Sequence, residues 1–198
     1  MPPAQSATPT PAPLPTPSHF SIEQDFKLMR EAFHVTDGTS IVCVADMSQL
    51  SIKAHIQVYR DEAKTQPAFQ IQQTNVIGTT KVYEVADAAG QKMGAFRLQS
   101  LQSIMSEHWE ILDATGVVIG TIEQDTMKAM MGRLLHIIPQ TFVATVGGHP
   151  ACTYTEEVNM GVRFKMAIDF SADTTGSFDR TLGIAGAILL ASRHNVTQ

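Results

Sequence analysis

The chain predicts a mainly β fold, a closed barrel of about twelve strands enclosing a hydrophobic C-terminal helix, with one amphipathic helix outside it. Three observations carry that expectation. Residues 83–96 (YEVADAAGQKMGAF) and 109–122 (WEILDATGVVIGTI) follow one template: aromatic, Glu, branched apolar, any residue, Asp-Ala-x-Gly, two residues, apolar, Gly, one residue, apolar. Apolar and polar residues alternate in paired runs between turn residues along most of the chain. Residues 181–191 (TLGIAGAILLA) are apolar all the way round a helix and need surroundings of protein or lipid.

Residues 1–18 hold seven of the ten prolines, five of them at alternate positions from Pro9 to Pro17. Such a stretch buries little apolar area and reads as an extended, solvated tail. No two of its prolines lie three apart, so the PxxP spacing of an SH3 ligand is missing. Residues 19–195 then form one domain. FHVTDG leads into IVCV at 41–44 as a diverged relative of the two template hairpins. Residues 51–59 put Ile52, Ala54, Ile56 and Val58 on one face and Lys53, His55 and Gln57 on the other. Asp61, Glu62 and Pro67 turn that run into Phe69 and Ile71. Residues 141–146 turn at Gly147-Gly148 into 151–158, and 162–170 make a last strand.

In the template hairpins Asp87 and Asp113 can accept hydrogen bonds from the backbone ahead, while Gly90 and Gly116 supply positive φ. Their matching positions explain these four residues as structural turns rather than as an acid/base pair. Residues 125–138 (DTMKAMMGRLLHII) repeat apolar side chains at helical spacing, with Asp125 or Thr126 as a cap and Pro139 as a stop. This segment reads as a helix lying across the barrel with its Met-rich face on the core; Lys128 and Arg133 alone would serve an interfacial membrane helix. The terminal helix presents Leu182, Ile184, Ile188, Leu189 and Leu190 to the barrel interior, with Asp179 placed to cap it. Eleven residues span only about 16 Å, short of a bilayer core of ~30 Å, so the chain is not expected to be transmembrane.

Composition excludes several functions. Net charge is -5 and no two Lys or Arg are adjacent, so nucleic acid is not an expected partner. Arg163 and Lys165 are the nearest approach to a basic pair and read as an ordinary strand face. Cys43 and Cys152 stand in strand-like runs and read as small buried hydrophobes in a reducing compartment. No signal peptide is recognisable, and the expected location is cytoplasmic, with peripheral attachment at a membrane as an option. The seven histidines form no HxH or HxxxH pair, and P-loop and G-x-S-x-G patterns are missing, so no catalytic residue, metal site or cofactor is expected.

The twin hairpins, the preceding VYRDEAKTQPAFQI and the closing DFSADTTGSFDRTLGIAGAILLA together resemble the LURP-one-related family, within the tubby-like, phospholipid-scramblase-like superfold. The likeness covers roughly residues 20–193. It implies a barrel closed around a central helix and carries no catalytic residue to this sequence. Tubby proteins use clustered basic residues for phosphoinositides, and scramblases are linked to calcium and acylated cysteines. This chain has neither cluster, and its acidic loop (Asp169, Asp173, Asp179) departs from the EF-hand pattern, with Thr174 where Gly is required. The leading expectation is a non-catalytic binding module that contacts membrane phospholipid or a protein partner. The alternatives are scramblase-like lipid translocation and an enzyme whose site assembles at the barrel mouth.

Overall fold

The computed structural model describes residues 17–27, 30–47, 55–77, 80–99, 108–125, 140–157 and 164–194. The expected helix at 125–138, apart from Asp125, lies outside them, as do Arg163 and the first part of the strand expected at 51–59. Among the described residues the strands are β1 (His19–Lys27), β2 (Arg30–Thr36), β3 (Ile41–Met47), β4 (His55–Tyr59), β5 (Pro67–Ile77) and β6 (Thr80–Asp87). They continue with β7 (Lys92–Gln99), β8 (His108–Asp113), β9 (Val118–Gln124), β10 (Thr141–Val146), β11 (His149–Glu156) and β12 (Lys165–Asp169), and α1 (Arg180–His194) follows.

Every strand pairs antiparallel with its neighbours in sequence, and β1 closes the ring by pairing with β12 from His19↔Asp169 to Glu23↔Lys165. This is an up-and-down barrel without edges. Its alternating strands place the turns at 37–40, 60–66, 87–91, 113–117 and 147–148 at one end, together with the 170–179 loop where α1 begins. We call this the near end and the opposite one the far end.

Twelve strands at a spacing of about 4.8 Å and a tilt of ~40° make a ring roughly 24 Å across, too wide for wall side chains alone to fill. The central helix occupies that space. Residues 182–191 of α1 are all buried and belong to the same core as the inward residues of the wall. Leu182, Ile184, Ile188, Leu189 and Leu190 are between 0% and 6% exposed, as their interior placement requires. Small residues let the wall approach: a Cβ on Gly183 would lie 2.3 Å from the Phe170 ring, and one on Gly186 3.1 Å from the Tyr154 hydroxyl. That hydroxyl donates to the Gly183 carbonyl at 3.1 Å and ties β11 to the helix.

The repeated Asp and Gly residues form the turns that the template implies. Gly90 (φ 83°) and Gly116 (φ 90°) donate to the carbonyls of Asp87 and Asp113 at 3.0 and 3.1 Å. Each Asp side chain accepts two further backbone N–H groups, Ala89 and Gln91 for Asp87, Thr115 and Val117 for Asp113. The second glycine of the template answers to a different cause, the close approach of the next strand. A Cβ on Gly94 would lie 2.6 Å from the Leu112 carbonyl oxygen, and one on Gly120 2.0 Å from that of Thr145.

A fourth turn of this kind joins β4 to β5. Asp61 stands three residues before Lys64, whose N–H donates to the Asp61 carbonyl at 3.1 Å, the bond that Gly90 and Gly116 make in their turns. Lys64 adopts φ 59° and is the one non-glycine residue with positive φ among those described. Its ammonium pairs with Asp46 on β3.

Candidate functional site

At the near end the 170–179 loop leads into the start of α1. Asp179 caps the helix, its carboxylate accepting from Leu182 N–H at 3.0 Å. Asp173 lies beneath the loop with its side chain only 1% exposed. It accepts from Ser177 N–H at 2.9 Å, Phe178 N–H at 3.1 Å, the Ser177 hydroxyl at 3.1 Å and Arg180 Nη1 at 3.1 Å. Burial alone would raise the Asp173 carboxyl; the Phe178 and Ser177 amides and the Arg180 guanidinium outweigh it and hold the group below its ordinary value. The guanidinium lies 4.3 Å over the Phe170 ring, which meets Phe20 edge-on at 6.0 Å and Phe178 at 6.1 Å. Phe170 N–H also donates to the Ser18 carbonyl at 2.7 Å, so the barrel's bonding begins at the last residue assigned to the tail.

Beside this plug is a cleft of about 390 Å³ between the β10–β11 turn and the loop, lined by His149, Pro150, Ala172, Asp173, Thr174, Thr175 and Ser177. It offers one imidazole, three hydroxyls and a buried carboxylate. The Asp173 oxygens are already saturated by loop and helix donors, so that carboxylate cannot take a proton from a ligand without dismantling the loop. The cleft has the make-up of a recognition surface. The acidic loop does not gather into a cation site: Asp169 accepts from Ser171 N–H at 2.7 Å and faces His19 at 3.3 Å, while Asp173 and Asp179 serve the plug and the cap. Among the described residues no group of three His, Cys, Asp or Glu side chains could hold a metal ion.

The turn residues Asp87, Gly90, Asp113 and Gly116 stand in separate hairpins around the near rim. Their equivalents at Asp37 and Asp61 complete a series of aspartates that bond their own turns. The Ser40 and Thr39 amides lower Asp37 to about 2, and the Thr65 and Thr115 hydroxyls lead the groups that lower Asp61 and Asp113. On the wall, charges meet across strands: Lys92 with Glu84 at 3.0 Å, Arg97 with Glu110, and Lys165 with Glu23 at 3.4 Å and Glu157 at 3.3 Å. Lys165 is thus a paired wall residue. His34 and His55 face outward but are half-buried, and His55 lies 3.4 Å from Gln70 Oε1. Both cysteines are free and buried, and burial pushes each thiol up to about 12, which removes them as nucleophiles.

Sequence reasoning missed the cleft, because His149 and the hydroxyls of Thr174, Thr175 and Ser177 are distant in the chain and meet only through the pairing of β11 with β12. It also missed the burial of Asp173, for which the seven-residue spacing to Arg180 was the one available signal. Among the described residues no helix is long and apolar enough to cross a membrane. The chain matches no protein-family model, and no curated protein sequence matches it.

Proposed function

We propose that the chain is a non-catalytic binding module of the LURP-one-related type, which meets a protein partner through the near end of the barrel. The observation that carries this reading is the cleft at that end, whose one carboxylate is fully occupied by structural donors. A carboxylate that is already committed leaves the His149 imidazole without an acidic partner in the cleft and favours recognition over catalysis. The near-end turns also expose Val117 (59%) and Val118 (44%), apolar surface of the kind that protein partners cover. Their charged residues are Asp37, Asp61, Glu62, Asp87 and Asp113 against Arg60 and Lys64. That balance suits a partner with basic side chains and disfavours an anionic bilayer. Scramblase-like translocation gains no support from α1, since its apolar surface is already covered by the barrel.

Photo-crosslinking tests this reading. A photoreactive residue in place of Val117 should give a discrete protein adduct in cells, whereas one in place of Glu84 on the wall should not. Equal labelling from both positions, or none from Val117, would reject the near-end surface. In co-sedimentation, vesicles of phosphatidylcholine with phosphatidylserine should leave the protein in the supernatant, with or without calcium. Pelleting with those vesicles would replace the protein partner by lipid.

A further inference from the structure

Among the described residues three buried side-chain atoms have no hydrogen-bond partner, and all three belong to β1: the Ser21 hydroxyl and both ends of the Gln24 amide. Phe20, Ile22 and Gln24 are the inward positions of that strand and are all buried, so alternation calls for an apolar residue where Gln24 stands. Ser21 faces the other way, between Thr36 of β2 and Ala167 of β12. Desolvating such groups without a bond in return disfavours the closed state, and releasing β1 gives both back to water. The ion pairs that tie β1 to β12 lie at the surface, His19 with Asp169 at 3.3 Å and Lys165 with Glu23 at 3.4 Å. Pairs of that kind add little. No turn joins β1 to β12, so the seam between them can part while the hairpins of the rest of the wall stay closed.

We propose that β1 is the displaceable strand of the barrel, and that an extended segment of a partner protein takes its place between β12 and β2. Once β1 peels away, the backbone groups of its two neighbours are unpaired edges that any extended segment can bond. The slot specifies the side chains at alternate positions. The first is aromatic, where Phe20 meets the Phe170 ring edge-on at 6.0 Å; the second is aliphatic, at the fully buried position of Ile22. The third is aliphatic too, in the place of Gln24, and this residue gives the partner strand its advantage over the chain's own. A second copy of β1 would bring the same glutamine and gain nothing. The seam is separate from the near-end surface proposed above, and either can fail without the other.

Hydrogen exchange and strand donation test the proposal on the full chain. Backbone amides of β1 should exchange about ten-fold faster than those of β7, and Gln24→Leu should remove most of that difference. A fluorescent peptide of residues 18–26 carrying Gln24→Leu, added up to millimolar concentration, should bind about ten-fold more tightly than the unaltered peptide, read by anisotropy. A disulfide across the seam, made with Ser21→Cys and Ala167→Cys, should abolish that binding. The proposal is overturned by β1 amides as slow as those of β7, by no binding of the Gln24→Leu peptide, by equal binding to the locked chain, or by dimers that exchange β1 in place of peptide uptake. If the locked variant does not fold, exchange in the unmutated chain and the two peptides decide: equal protection of β1 and β7, or equal binding of the peptides, rejects the displaceable strand.

Discussion

Asp87 and Asp173 both sit at the near end and both accept backbone N–H groups from residues just ahead of them, yet one closes an exposed hairpin and the other holds a buried plug. Asp173 adds a hydroxyl and a guanidinium to its backbone donors, and its surroundings are dry where those of Asp87 are wet. Around Asp87, water replaces the acceptor if it is lost, whereas around Asp173 the buried Phe178 amide would be left with nothing to bond and the half-buried Arg180 guanidinium would lose its carboxylate. Burial of the aspartate is expected to set the cost of losing it, because only a buried donor is left without water.

The sharpest break of this contrast is a carboxylate placed where no donor waits. Leu189→Asp puts one inside the barrel at a position 2% exposed, and the expected outcome is loss of cooperative folding, read as a missing near-ultraviolet dichroism signal. Asp173→Ala comes next: removing the acceptor of the buried Phe178 amide and of the half-buried Arg180 guanidinium should cost about 2 kcal/mol in urea denaturation, with Asp87→Ala clearly milder. If both aspartates cost the same, burial is not what separates them.

Lys64 tests the turns alone. In an Asp46→Ala background, where its ion pair is already gone, Lys64→Gly should stabilise by about 1 kcal/mol, because glycine adopts φ 59° without strain. The smallest effect is on acid stability. The folded pKa of Asp37, about 2, lies below its ordinary 3.8, so its contribution is complete above the ordinary value and disappears as pH falls through 2. Tm measured from pH 5 to pH 2 should fall less steeply for Asp37→Asn than for the unmutated chain.

The wall and the helix were legible in the sequence because both express a period: two residues per repeat along the strands, and no polar face at all over 181–191. The turns at Asp87 and Asp113 were legible because glycine advertises positive φ. The turn at Asp61 was readable only as a turn, since Lys64 in glycine's place hides its kinship with the template. Gln24 was hidden for the opposite reason. A polar residue in a strand suggests an outward face, and only the register with Phe33 on β2 and the burial of its neighbours place it in the lumen. The cleft rests on contacts between distant segments, which no local pattern encodes.

Closure by β1 and β12 also sets an order of events. Each hairpin of the meander needs only its immediate neighbours, but the seam needs strands from opposite ends of the domain, and the sealed barrel encloses α1. A meander that has not received its helix is a curved sheet with two open edges and an uncovered apolar face. The helix is therefore the piece whose arrival turns a local assembly into a sealed one, and the Asp173 plug is the latch that keeps it there.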